Sequence, residues 1–183
     1  MKVLKRSFFE RSTLDVAPEL LGKSVIVRAT KKGKPKVGTI VEVEAYTEND
    51  PFCHAARGKT PRNEVMFGPG GFSYVYFIYG MYHCLNFVTE KKDVPGAVLI
   101  RAVEVLEEDH RAGSGPGKLC KYFMITKKHN MLDCCDEDSL IIVVNNNKKK
   151  NFSVKQTTRI GISQACNYPW RWYIKDSNSV SKL

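Results

Sequence analysis

The sequence predicts a mixed α/β (α+β) fold: a mainly antiparallel sheet with helices near the beginning and in the middle of the chain. Three observations predict it. Short runs rich in Val, Ile, Tyr and Phe recur from residue 23 onward, separated by Gly-, Pro-, Asn- or Lys-containing turns, the pattern of strands joined by short connections. Helix-like segments are confined to 7–21 and 118–125. The 183 residues, 43 % of them hydrophobic, suffice for one domain (1–183) that buries a sizeable core.

Residues 7–21 read as one or two short helices, with Ser12 as an N-cap and Gly22 as a stop. Lys23–Thr30 reads as a strand, Lys32–Pro35 as a turn, and Val37–Tyr46 as the strand's hairpin partner. Side chains alternate along a strand. Val37, Thr39, Val41, Val43 and Ala45 are therefore expected on a packed face, and Gly38, Ile40, Glu42, Glu44 and Tyr46 on the other. Two carboxylates and a ring on one face suit a site, and equally the solvated face of an edge strand.

Glu48–Met66 is a long irregular loop carrying His54, Arg57, Lys59 and Arg62, either functional or simply surface. Gly68–Gly71 introduces a predicted hairpin, Phe72–Tyr79 and Tyr82–Thr89, broken at Gly80-Met81 with Tyr79 at or beside its tip. Its tyrosines (74, 76, 79 and 82) fit a core aromatic ladder or, at the tip, a wedge between stacked bases. After the polar turn Glu90–Asp93, Ala97–Val105 reads as a strand buried on both faces, with Arg101 its anomaly. A buried arginine must be paired or reach a polar cavity. Glu107–Gly113 is short and charged, and Ser114-Gly-Pro-Gly117 opens the helix 118–125. Glycines before a helix favour anions, but the P-loop spacing is absent. Ser139–Val144, Thr158–Ser163 and Trp170–Lys175 read as further strands or strand ends, and Asn145–Asn151 as a lysine-rich turn.

Lys and Arg number 29 against 19 Asp and Glu, a formal net charge of +10. Such a surface favours polyanions. The six cysteines form no CxxC pair, and no signal peptide or apolar run of roughly 20 residues is present. Reduced thiols in an intracellular protein are expected. His54, His83, His110 and His129 stand in no ligand spacing with the cysteines, so no metal is expected.

Six motifs now occur in order: Val-Glu-Val-Glu-Ala-Tyr (41–46), Thr-Pro-Arg-Asn (60–63), Tyr-Val-Tyr-Phe-Ile-Tyr-Gly-Met-Tyr (74–82), Leu-Ile-Arg-Ala (99–102), Ser-Gly-Pro-Gly-Lys-Leu-Cys (114–120) and Arg-Ile-Gly-Ile (159–162). Together, over about residues 7–181, they closely resemble the alkyladenine (3-methyladenine) DNA glycosylase family. The resemblance implies a single domain with an antiparallel core, flanking helices and a protruding β-hairpin. It implies a monofunctional enzyme, without metal or cofactor, that releases alkylated or deaminated purines (3-methyladenine, 7-methylguanine, hypoxanthine, ethenoadenine) from duplex DNA and leaves an abasic site. A monomer is expected, with no membrane partner, in the cytoplasm or nucleoid of a bacterium or the nucleus of a eukaryote.

By matching positions, Glu44 resembles the general base that activates water, and Arg101 the arginine beside that water and the target phosphate. Tyr46, His54 and Tyr76 resemble the walls of the base pocket. Asn86 resembles the asparagine that disfavours normal guanine, and Tyr79 the residue that fills the gap in the duplex. Arg57, Lys59 and Arg62 would hold phosphates, joined as DNA contacts by Met81, Tyr82 and Lys118. A role for Glu42 as paired acid is conceivable, but the motif assigns the chemistry to Glu44. The segment between Glu104 and Ser114 is shorter than in longer family members. The loop from His54 to Thr60 is one residue shorter, a departure that bears on Arg57. A different class also fits the basic face and the tyrosines: a non-catalytic nucleic-acid-binding module with a stacking surface.

Overall fold

The computed structural model describes residues 1–30, 32–106, 108–146, 151–162 and 167–182. Among them the chain runs β1 (Lys2–Val3), α1 (Arg6–Phe9), α2 (Thr13–Leu20), β2 (Ser24–Val27), β3 (Lys36–Thr47), β4 (Ser73–Ile78), β5 (Tyr82–Thr89), β6 (Gly96–Glu104), α3 (Pro116–Phe123), β7 (Ile141–Asn145), β8 (Val154–Thr157) and β9 (Arg171–Ile174). The strands form one sheet in the order β1-β7-β2-β3-β6-β5-β4, with β9 added to β3 and β8 to β9. Every pairing is antiparallel. The mixed α/β class with a mainly antiparallel core is therefore what the fold shows.

Strand β3 is the hub. One edge pairs with β6 from Thr39 to Thr47, while the other pairs with β2 over Lys36–Thr39 and with β9 over Glu42–Glu44. Where the partner changes, β3 and β6 lose regular register together. Ile40 faces Val103 and Val43 faces Ile100, but Val41 and Arg101 have no opposite number. Such an irregularity re-aims side chains, and it corrects the alternation expected from the sequence. A Cβ on Gly38 would point at Val103 and Phe123, and Ile40 packs in the same cluster as Val43 and Ala45. Val37 is exposed instead. Glu42, Glu44 and Tyr46 keep the opposite face.

The main core lies between this sheet face and the helices. Val16, Ala17 and Leu20 of α2, and Leu119, Cys120 and Phe123 of α3, pack on Ile40, Val43, Leu85, Phe87 and Ile100. The carbonyl of Ser12 accepts from Asp15 and Val16 N–H, but its hydroxyl makes no capping bond. Glu90 takes over that task from the turn after β5. Its Oε1 accepts from Thr13 N–H at 2.5 Å and from the Thr13 hydroxyl at 2.7 Å, a carboxylate where a helix N-terminus favours one. The helix stops at Gly22, whose φ is +80° and whose Cβ would lie 2.7 Å from the Phe152 ring.

A second cluster covers the opposite face. Cys53, Ala55, Val65 and Met66 from the loop after β3 pack on Tyr74, Val88 and Ala97. Thr158–Ile162 is not the strand expected. The strand there is β8, ending at Thr157, and Gly161 adopts a φ of +77°. Ser163, Glu107, and residues 147–150 of the expected lysine-rich turn lie outside the described residues.

Candidate active site

On the sheet face away from the main core, a cleft of about 570 Å³ opens between the hairpin, the loop after β3, the start of α3 and residues 160–162. Its aromatic character follows from β4. Tyr74, Tyr76 and Ile78 share the cleft face and pair across with Asn86, Cys84 and Tyr82 of β5. The start of α3 fits close because Gly117 has no side chain; a Cβ there would lie 2.7 Å from the Tyr82 ring.

Behind the cleft wall sits a charged cluster. Glu44 is fully buried. Its Oε1 accepts from Ile160 N–H at 2.7 Å and faces Arg101 Nη1 at 3.2 Å, and its Oε2 accepts from the Tyr46 hydroxyl at 2.9 Å. Tyr46, Arg101 and Ile160 line the cleft directly. Glu42, also fully buried, accepts at Oε1 from Arg101 Nε at 3.2 Å and Arg171 Nη1 at 2.8 Å. Two carboxylates and two guanidiniums thus balance, as burial of charge requires. Burial alone would lower the Arg101 pKa, but Glu44 and Glu42 raise it. Burial, then the Glu44 charge, raises the Tyr46 pKa, so its hydroxyl keeps its proton and donates.

The walls are braced from outside. The Arg159 guanidinium stacks on Tyr46, 4.6 Å from the ring centroid, and 5.3 Å from that of Trp170. It is held by a buried ion pair with Asp50 and by the Ala45 carbonyl. His54 Nδ1 hydrogen-bonds the Tyr74 hydroxyl at 2.7 Å, and its ring meets Tyr76 edge-on at 4.5 Å. Asn63 fixes the turn that carries His54, donating to the His54 and Gly58 carbonyls and accepting from Thr60 N–H. Burial, then the nearby Arg62, lowers the His54 pKa. Asn86 donates its amide to the Tyr74 carbonyl at 3.0 Å.

A family model for methylpurine-DNA glycosylase matches residues 7–178. The chain belongs to the methylpurine-DNA glycosylase family. Proteins provisionally named 3-methyladenine DNA glycosylase are similar along nearly its whole length. That of Rickettsia rickettsii (strain Sheila Smith) is 45 % identical over 98 % of this chain and 94 % of its own. That of Ehrlichia chaffeensis is 46 % identical over 95 % and 94 %, and that of Trichodesmium erythraeum 41 % identical over 99 % and 98 %. The family is one of DNA glycosylases, enzymes of base-excision repair.

In this methylpurine-DNA glycosylase family member, Tyr46, His54, Tyr76, Asn86, Arg101, Tyr79, Tyr82 and Lys118 all line the cleft, with Glu44 immediately behind it. Tyr79 is 80 % exposed at the hairpin tip, with Met81 exposed beside it but outside the cleft lining. Arg62 lies 5.7 Å from the Tyr76 ring centroid. Arg57 is exposed on the loop, away from the cleft lining. Sequence reasoning missed Asp50, Arg159, Arg171 and the Ile160 N–H. Only Arg159 and Ile160 carried a signal, within the Arg-Ile-Gly-Ile run. Among the described residues no group of three or more His, Cys, Asp or Glu could hold a metal ion, and no helix is long and apolar enough to cross a membrane.

Proposed function

We propose that the chain is a monofunctional, monomeric 3-methyladenine DNA glycosylase acting as one domain on duplex DNA with damaged purines. The single observation that carries this reading is the Glu44 carboxylate, fixed by Ile160 N–H, Arg101 and Tyr46 directly behind an aromatic cleft. A base inside a duplex cannot be reached, so the target nucleotide swings into the cleft and stacks among Tyr46, His54 and Tyr76. An N-alkylated, positively charged purine gains cation–π attraction from these rings. Asn86 crowds the exocyclic amine of normal guanine. Tyr79 fills the vacated stack, with Met81, Tyr82, Arg57, Lys59, Arg62 and Lys118 contacting the DNA around it.

Each carboxylate oxygen has two acceptor sites. Among the described residues, Oε1 of Glu44 accepts from Ile160 N–H and faces the Arg101 guanidinium, whereas Oε2 accepts from Tyr46 alone. The free site on Oε2 receives the nucleophilic water. Glu44 is fully buried, so admitting that water requires Tyr46 or Arg101 to move. The water oxygen bonds to the sugar anomeric carbon, its proton passes to Glu44, and the N-glycosidic electron pair leaves with the purine. The carboxylate also stabilises positive charge developing on the sugar, and Arg101 holds the target phosphate.

The test is single-turnover excision on duplexes bearing hypoxanthine or ethenoadenine, with release of 3-methyladenine measured in parallel. Wild type should yield strand cleavage only after alkali. Glu44→Gln should abolish excision while still binding the lesion duplex. Equal turnover in Glu44→Gln would remove Glu44 from the chemistry. Salt-sensitive binding without release of any of these bases by wild type would favour a non-catalytic binding module. Strand scission without alkali would overturn the monofunctional assignment.

A further inference from the structure

The segment Ser179–Lys182 follows the residues that the family model matches, 7–178, yet it meets the site's charged cluster at several points. Ser181 N–H donates to Glu42 Oε2 at 2.7 Å. The Lys182 carbonyl accepts from Arg171 Nη1 at 2.8 Å, the same nitrogen that donates to Glu42. The Ser181 hydroxyl takes a longer, marginal contact from Arg101 Nη2 at 3.4 Å. The Val180 carbonyl accepts from the hydroxyl of Ser114, a residue of the cleft wall, at 3.2 Å.

We propose that Ser179–Lys182 is a positioning strap: it fixes Glu42 and, through Glu42, holds Arg101 in place beside Glu44. This rests on the glycosylase reading above. An arginine side chain has several rotatable bonds and loses entropy when held in one geometry. Here Glu42 takes Nε and Glu44 faces Nη1, so the guanidinium head is gripped at two corners. That grip is only as firm as Glu42 itself. Glu42 lines no part of the cleft, and Oε2 has Ser181 N–H as its hydrogen-bond partner among the described residues. Without the strap, one oxygen of a fully buried carboxylate is left unsatisfied, and such a group reorients or draws in water. Arg101 then loses its fixed relation to Glu44. No strap residue lines the cleft, so the strap reaches DNA only through Arg101, one phosphate contact among many, and should slow the chemistry far more than it weakens the grip on DNA.

Three variants test this beside wild type: a chain ending at Asn178, Ser181→Pro, which removes the N–H donor, and Glu42→Gln. Three quantities are read: the single-turnover excision rate, the Kd for a duplex with a tetrahydrofuran abasic analogue, and the thermal melt. The truncated chain and Ser181→Pro should lose roughly 10–100-fold in excision rate, as a misplaced catalytic group does. Their Kd should stay within about threefold of wild type, the signature of an interaction used in the chemical step. Ser181→Pro combined with Glu42→Gln should be no slower than the slower single variant, because both act through one network.

Wild-type excision rates in the truncated chain and Ser181→Pro would overturn the strap, as would rate and affinity falling by the same factor. If the truncated chain shows no cooperative melt, Ser181→Pro decides by the same criteria. A wild type that releases no damaged purine overturns the glycosylase reading and this inference with it. An active wild type beside fully active strap variants overturns the strap alone.

Discussion

Two carboxylates two residues apart on β3 have opposite prospects because of what surrounds each oxygen. Glu42 is committed to two guanidiniums and a backbone N–H, while Oε2 of Glu44 has, among the described residues, the Tyr46 hydroxyl as its one hydrogen-bond partner. The same attention to surroundings applies to His54. Burial, then Arg62, depresses its pKa below the usual 6.5, so the ring is neutral at pH 7 and, on the glycosylase reading, would not repel a cationic base. A titration followed by imidazole NMR shifts should show this depression. A depressed pKa means that the unfolded chain takes up a proton before the folded one. The stability His54 contributes is complete above the unfolded value near 6.5 and is lost as pH falls through the lower folded value. A measured His54 pKa above 6.5 would contradict the environment described.

The hairpin is the element with the most exposed apolar surface at its tip. Tyr79 and Gly80 both adopt positive φ, +54° and +66°. This turn projects Tyr79 outward, and a non-glycine residue there carries a backbone cost of about 1–2 kcal/mol. Tyr79→Ala should leave the thermal melt unchanged and weaken binding to lesion duplex by about 1–3 kcal/mol, the value of one stacked aromatic. Normal 2-aminopurine fluorescence beside the lesion in that variant would remove the wedge role. The hairpin was legible because alternating tyrosines and a Gly break are strong local signals. The phase change at Val41 and Arg101 was not, since side-chain parity cannot reveal where paired strands slip together. The same holds for Thr158–Ile162: its β-branched Thr and Ile residues suggested a strand, but the Ile160 N–H found a carboxylate instead of a neighbouring backbone. Asp50 gave no sign at all, because its partner Arg159 lies 109 residues away.

At the scale of the molecule, the formal charge of +10 predicts that counterion release supplies most of the affinity for undamaged DNA. Binding to an undamaged duplex should fall steeply with salt, with log K linear in log salt concentration. Lys118 is exposed and lines the cleft. Lys118→Ala should reduce that slope by about one unit, the loss of one phosphate contact. A slope unchanged by this substitution would take Lys118 out of the DNA interface. Composition made the basic surface legible; which cations face the cleft became visible only when the loop after β3 and the start of α3 were set against the hairpin.

The changeover of β3 from β2 to β9 also has a consequence in time. Arg171 and Ser181, which secure Glu42, follow it by 129 and 139 residues. At about 5–20 residues per second, these two partners are synthesised roughly 6–30 s after Glu42. A nascent chain can close its early strands in that interval, but Glu42 lacks Arg171 and Ser181 until synthesis is nearly over. On the glycosylase reading, a polypeptide released before Arg171 would hold Glu44 beside an unfixed Arg101 and release few bases.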